Sequence, residues 1–326
     1  MKKFINIIKD GSVMKTMKTF ATYEDRIQIL KDRKLKIRNE KKAVEFLKKY
    51  NYFDVINGFE TILLEKGTKN KEYKDVYFED FKELYNFDRL LREKTATKIF
   101  DIESRIRTSI SYHFAKEHCC NINETLNYCD SQYYQKPVKD KHLANKFKTF
   151  DLFTFNPKKT NDKSQRKWNK DYIKGYKEPP LWVTVKAMPL GSLYYFFIFL
   201  RKQEKEEVLK DFSFSPHQVD AYIQAIYLLK EMRNQCAHLE LVTRFRLKRN
   251  SKLNSMQDLI MLANLSKSDS NYMDVLKTLK LFGSVRGIQC SIVRFYVKML
   301  FKGRKRIADK ILGKMGRRSI MAWWRL

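Results

Sequence analysis

The sequence predicts an all-helical protein, on three observations. Gly and Pro are scarce, at 10 and 6 among 326 residues. Leu, Lys, Glu and Ile recur, a composition that suits helices. Apolar residues return at three- and four-residue intervals along most of the chain, the period of a helix with one buried face. A hydrophobic share of 43% allows a sizeable core, and the length fits one large domain or two ordinary ones.

Taken in order, residues 1–20 are basic and expected to be loosely held. Thr22 followed by acidic residues marks a helix start, and Ile27, Leu30 and Leu35 supply the apolar positions of Tyr23 to Leu35. A second helix is expected from Asn39 to Tyr50, with Ala43, Phe46 and Leu47 on one face. Asn51 to Lys74 reads as loop-rich around an apolar patch at Ile56 to Leu64. Another helical stretch begins at Phe78. Phe87 to Ala115 reads as one long helix or two nearly continuous ones, with Leu90, Ile99, Ile102, Ile106, Ile110 and Phe114 as its apolar stripe. After a basic insertion closed by Pro179-Pro180, a helix is expected beyond Pro189. Tyr222, Ala225, Leu229 and Met232 define the buried face of the next one. Met256 to Ala263, Tyr272 to Phe282 and Ile292 to Phe301 continue the helical pattern. The expected organisation is a basic segment at 1–20, a helical domain at 21–250 with a basic insertion at 136–178, and a helical basic extension at 251–326.

Charge points to a partner. The formal net charge is +30, from 67 basic and 37 acidic residues. Such a surplus in a folded chain favours a polyanion, nucleic acid first and an anionic membrane surface second. Lys136 to Glu178 holds 13 Lys or Arg against 5 Asp or Glu, with aromatics interleaved. Lys158, Lys159, Lys163, Arg166, Lys167 and Trp168 are its RNA-binding candidates, because cations neutralise phosphates while exposed rings stack on bases. The competing reading is a solvated insertion whose aromatics anchor it to the core. Lys302 to Leu326 carries nine Lys or Arg against one Asp and ends near Trp323-Trp324. It reads first as a phosphate-binding tail and second as an amphipathic membrane-surface helix. Arg304, Lys305 and Arg306 in this tail, with Arg244 and Arg246 upstream, complete the RNA-binding candidates.

Five Cys without a Cys-x-x-Cys spacing suit a reducing compartment, so a cytoplasmic protein is expected. His118, Cys119, Cys120 and Cys129 match no standard zinc spacing and read as ordinary thiols beside a histidine. No metal or cofactor is expected. The N-terminal MKKFINIIKD has too short an apolar stretch for a signal peptide. Leu181 to Leu200 is interrupted by Lys186, Pro189 and Gly191, and its unbroken part is shorter than the roughly 20 residues that span a bilayer. It reads as buried core, and no membrane partner is expected.

The candidate chemistry lies at Arg233-Asn234-Gln235-Cys236-Ala237-His238, behind the apolar face of the helix. Asn234 and His238 are four apart and share one face. Arg233 lies about 140° around an ideal helix from His238, so its long side chain or a local distortion must bring it to the same spot. Arg107 and His113 form a second arginine–histidine pair, six apart and on different faces. Glu103 precedes Arg107 by four residues, the favourable order for a helix-surface ion pair, so a structural role competes strongly at Arg107.

Several blocks in order resemble the Abi (abortive infection) proteins of the AbiD and AbiF type, which contain a HEPN-class RNase domain with an Arg-x4–6-His signature. They are Tyr50-Asn51-Tyr52-Phe53, Phe78-Glu79-Asp80-Phe81, Tyr85 to Arg92, Ile106 to Ala115, Pro180 to Val183, Leu190 to Leu193 and Arg233 to His238. The resemblance covers about 20–250. Lys186 stands where such proteins often have an acidic residue, and Leu190 where they often have Phe. The resemblance implies a metal-independent endoribonuclease acting in phage defence, sometimes accompanied by a small noncoding RNA. In that chemistry the RNA 2′-OH attacks the adjacent phosphate, giving a 2′,3′-cyclic phosphate and a 5′-OH. The His238 imidazole would move protons, Arg233 would stabilise the extra charge on phosphorus, and Asn234 would orient His238 or a phosphate oxygen. One histidine cannot easily serve as both base and acid. A homodimer or the Arg107/His113 pair would supply the second motif. The competing class is a non-catalytic RNA-binding regulatory protein in which Arg233 and His238 are structural. A membrane-surface toxin is a distant third.

Overall fold

The computed structural model describes residues 20–65, 71–138, 140–153, 178–248 and 256–326. Among them it is all-helical, with isolated bridges in place of any sheet. The chain divides into two compact units, one ending at Asn86 and one beginning at Phe87.

In the first unit, α1 spans Tyr23–Asp32 and starts in a reciprocal cap. The Thr22 hydroxyl accepts from the Asp25 N–H, and the Asp25 carboxylate accepts from the Thr22 N–H. α2 spans Glu40–Lys49 behind an Asn39 cap and buries Ala43, Phe46 and Leu47 as expected. The stretch read as loop-rich is instead helical over much of its length. A π-turn at Phe53–Asn57 runs into α3, Gly58–Leu63, and buries Val55, Ile56, Phe59, Ile62 and Leu63. Close packing of five apolar side chains outweighs the weak local helix signal there.

The second unit contains most of α4, which runs unbroken from Phe78 to His118. Its buried stripe passes through Leu91, Ile99, Ile102, Ile106, Ile110 and Phe114. Leu90 is 40% exposed, which corrects its place in the expected stripe. It lies nine residues before Ile99, about 180° around the helix, whereas Leu91 stays near the buried side. Short 3-10 turns follow, then α5 (Lys141–Lys148), α6 (Leu181–Thr184), α7 (Leu190–Phe199) and α8 (Lys202–Asp211). α7 starts after Pro189 and buries Leu193, Phe196, Phe197 and Phe199 completely. No described helix is long and apolar enough to cross a membrane.

α9, Val219–Ala237, is the central helix of this unit and packs against α7, α8, α10 (Gln257–Ala263) and α11 (Tyr272–Leu281). Tyr222, Ala225, Leu229 and Met232 are all buried on it. α12 (Arg286–Phe301) begins earlier than its apolar pattern suggests and packs against α13 (Lys305–Met315) and α14 (Ile320–Trp324). The basic C-terminal stretch is helical and packed. α13 is amphipathic: Ile307, Ala308, Ile311, Leu312 and Met315 are buried, and the helix also packs on the 3-10 turn Val242–Arg244. Trp323 is fully buried.

Candidate active site

The site is built by α4 and α9. The Arg233 Nε lies 3.8 Å from Glu103 Oε2. The other Glu103 oxygen accepts from Arg107 Nη2 at 2.7 Å. One buried carboxylate thus lies between the arginines of the two arginine–histidine motifs. The Glu103–Arg107 pair expected on the helix surface is present but inside the protein, with Glu103 6% exposed. Arg107 also donates from Nε to the Val185 carbonyl and from Nη2 to the Met188 carbonyl, each at 3.1 Å. It thereby ties α4 to the turn leading into α7.

His238 is the exposed C-cap of α9, its N–H bonded to the Asn234 carbonyl at 2.9 Å. Asn234 is half-buried one turn before it, so the two share a face as their spacing requires. The helix ends in a Schellman arrangement: Leu239 N–H bonds to the Cys236 carbonyl and Glu240 N–H to the Gln235 carbonyl. Leu239 takes φ +59°, a left-handed conformation that costs a non-glycine residue about 1 kcal/mol or more. The strain is held from α4. Arg92 Nη1 donates to the Leu239 carbonyl at 2.6 Å and approaches the Glu240 carbonyl at 3.4 Å. Asp88, 3.8 Å from Arg92, accepts from both the N–H and the hydroxyl of Thr243 at 2.8 and 2.7 Å. Burial pushes the Asp88 carboxyl up to about 6, against the opposing effects of the Thr243 bonds and Arg92.

His113 points elsewhere. Its Nε2 lies 3.0 Å from Asp211 Oδ2 on α8, an oxygen that also accepts from the Ser109 hydroxyl at 2.6 Å. Arg107 and His113 thus have separate partners, as six-residue spacing on a straight helix implies. His118 forms a buried pair with Glu204 at 2.6 Å. Burial pushes the Cys119 thiol up to about 11 and the Cys129 and Cys236 thiols up to about 12, so all three are held as neutral thiols. No group of three or more His, Cys, Asp or Glu that could hold a metal ion is found among the described residues.

Of the RNA-binding candidates, Lys158, Lys159, Lys163, Arg166, Lys167 and Trp168 lie outside the described residues. Arg244 and Arg246 are exposed just after the site. They stand by Lys314 of α13, whose pKa is lowered first by burial and then by these two arginines. Arg246 also donates to the Lys314 carbonyl. Arg304 is half-buried at the start of α13, while Lys305 and Arg306 are exposed and Lys305 pairs with Asp309.

Asp88 and Arg92 have no assigned role in the sequence reading, and Glu103 enters it only as a partner of Arg107. A signal for all three was present: Asp88, Arg92 and Glu103 fall 11 and seven residues before and four after Ile99, on the apolar face of α4. Charged groups in register with a buried stripe must be paired.

The fold and site define an all-helical protein with two arginine–histidine motifs on neighbouring helices, their arginines joined by one carboxylate. Residues 45–242 match the family described as Abi-like protein, and the chain belongs to that family. No curated protein and no solved structure matches it.

Proposed function

We propose that this chain is a metal-independent endoribonuclease of a bacterial abortive-infection system, of the AbiD/AbiF type with a HEPN-class site. Membership of the Abi-like family suggests the abortive-infection role. The observation that carries the nuclease reading is the convergence of Arg233 and Arg107 on Glu103, with an exposed His238 five residues beyond Arg233 at the end of the same helix. Two guanidiniums around one carboxylate make a cation-rich spot to which a phosphate can be drawn. Arg233 is held to Glu103 by charge without a good hydrogen bond, whereas Arg107 is hydrogen-bonded, so Arg233 is the freer of the two to meet a phosphate. His238 lies at the end of the same helix, open to solvent, and can take the proton of a 2′-OH or give one to the leaving 5′-oxygen. Asn234 orients the imidazole or a phosphate oxygen. Because His113 is held by Asp211, a second proton carrier comes from another copy of the chain in a homodimer. The surplus of positive charge supports RNA as substrate and as a stably bound structured partner, a noncoding RNA among the candidates.

The test is incubation of the purified protein with RNA and identification of the product ends. Cyclic 2′,3′-phosphate ends that form in excess EDTA and vanish in His238→Ala and Arg233→Ala, both still folded, are expected. Cleavage that requires added magnesium, or persists in His238→Ala, overturns the reading. The second reading, a non-catalytic RNA-binding regulator, is favoured by the bonds that commit Arg107 to Val185 and Met188 and His113 to Asp211. It predicts tight RNA binding without any cut product.

A further inference from the structure

A pocket of about 390 Å³ opens between the end of α11, the first turn of α12 and the end of α14. Its lining includes Lys280, Arg286, Arg325 and Trp324 and no acidic side chain. We infer that it is a binding site for a nucleotide, with the base stacked on Trp324 and the phosphate held by Arg286 and Arg325.

The two tryptophans of α14 divide their work. Trp323 is fully buried, and its indole N–H donates to the Arg317 carbonyl at 2.7 Å. Gln289 of α12 donates from Nε2 to the Trp323 and Trp324 carbonyls at 3.3 and 3.4 Å. These contacts fix the backbone that carries Trp324, yet Trp324 is 55% exposed. A fixed backbone at the pocket lowers, though it does not remove, the ordering cost of stacking on this indole. Lys280 is engaged with the Leu326 main-chain oxygen. Arg286 and Arg325 are exposed, and neither guanidinium has an acidic partner among the described residues. Both line the pocket, and two guanidiniums bind a phosphate well. The volume lies within the range of small-ligand sites, roughly 300–1,000 Å³. An anion adjoining a flat aromatic face is the description of a nucleotide, free or as one unstacked unit of single-stranded RNA.

The inference rests on the RNA-binding reading above and not on cleavage at His238. The test therefore uses an uncleavable probe, a fluorescent 2′-O-methyl pentaadenylate, alongside AMP, with the full chain. Binding of the oligomer is expected to weaken about tenfold or more in Trp324→Leu and in the double variant Arg286→Gln/Arg325→Gln. Trp324→Phe, which keeps an aromatic face, should stay within a few-fold of wild type and shows that the helix end is intact. AMP that displaces the oligomer indicates a free nucleotide as the natural occupant. Bound oligomer that resists millimolar AMP indicates an RNA-borne one, and both support the site. Unchanged oligomer affinity in both variants overturns it. So does capture by phosphatidylglycerol vesicles that depends on Arg286 and Arg325 while neither nucleotide probe binds. A protein that cuts RNA but binds the probe equally in every variant retains the ribonuclease and loses the pocket. One that binds through Trp324 and never cuts does the opposite.

Discussion

Glu103 Oε2 faces Arg233 Nε at 3.8 Å, and both atoms are buried without a hydrogen-bond partner. The distance is too long for a hydrogen bond but short enough for strong Coulomb attraction in a partly desolvated setting. The other Glu103 oxygen is bound tightly to Arg107. Glu103 therefore grips one motif arginine and only restrains the other, so Arg233 is the less tightly held of the two.

Glu103→Gln should disturb both arginines at once. Two guanidiniums would then share a neutral amide, and each is partly open to solvent, so the expected stability loss is about 1–3 kcal/mol. Single-turnover RNA cleavage by the folded variant should fall roughly tenfold or more, a typical penalty for a misplaced catalytic group. A cleavage rate equal to wild type would show that Arg233 needs no such restraint.

Arg107→Ala should cost less activity than Arg233→Ala and more stability. Arg107 binds the Val185 and Met188 carbonyls as well as Glu103, so its loss leaves buried acceptors unpaired, at about 1–3 kcal/mol each at most. Melting temperature and cleavage per folded molecule separate the two effects. Equal loss of turnover in both variants, at unchanged melting temperature, would instead make Arg107 a partner in catalysis.

Asp88 should impose a particular pH dependence on stability. Its carboxyl, raised from 3.8 to about 6, holds its proton more tightly in the folded than in the unfolded chain. The folded state therefore binds more protons between about pH 4 and 6, and the contribution of this group to stability falls as pH rises through that window. The total is on the order of 3 kcal/mol, and it is constant above the window. Asp88→Asn keeps an acceptor for Thr243 and removes the titration. The difference in unfolding free energy between variant and wild type should shift towards the variant from pH 4 to 6; a pH-independent difference refutes the assignment.

Arg244 and Arg246 should contribute to RNA affinity through charge. They crowd Lys314, whose pKa is lowered by burial and by them, and a phosphate would relieve that crowding. RNA affinity should fall about 10³-fold between 50 and 200 mM salt if six or more phosphates are contacted. Arg244→Gln/Arg246→Gln should flatten the slope of log affinity against log salt by about 1.5. The same titration applied to Lys158, Lys159, Lys163, Arg166 and Lys167 changed together to Gln tests the insertion. An unchanged slope in either variant removes that group from the interface.

The sequence by itself determined the all-helical class, the buried face of α9, the helix start after Pro189 and the spacing that sets Asn234 and His238 on one face. It also contained the Glu103–Arg107 pair. All of these depend on helix periodicity, a property of neighbours within a few residues. It misplaced the stripe of α4 at Leu90, although the period itself sets Leu90 about 180° from Ile99 and leaves its neighbour Leu91 near the buried side. Only the tertiary structure decided that Glu103 reaches Arg233, 130 residues away in the chain. It also set Arg92 over the strained Leu239, and gave His113 to Asp211. Within the C-terminal stretch it buried Trp323 and left Trp324 at a pocket rim. Each of these pairings depends on the angle and register at which helices distant in sequence pack, and no local pattern encodes that geometry.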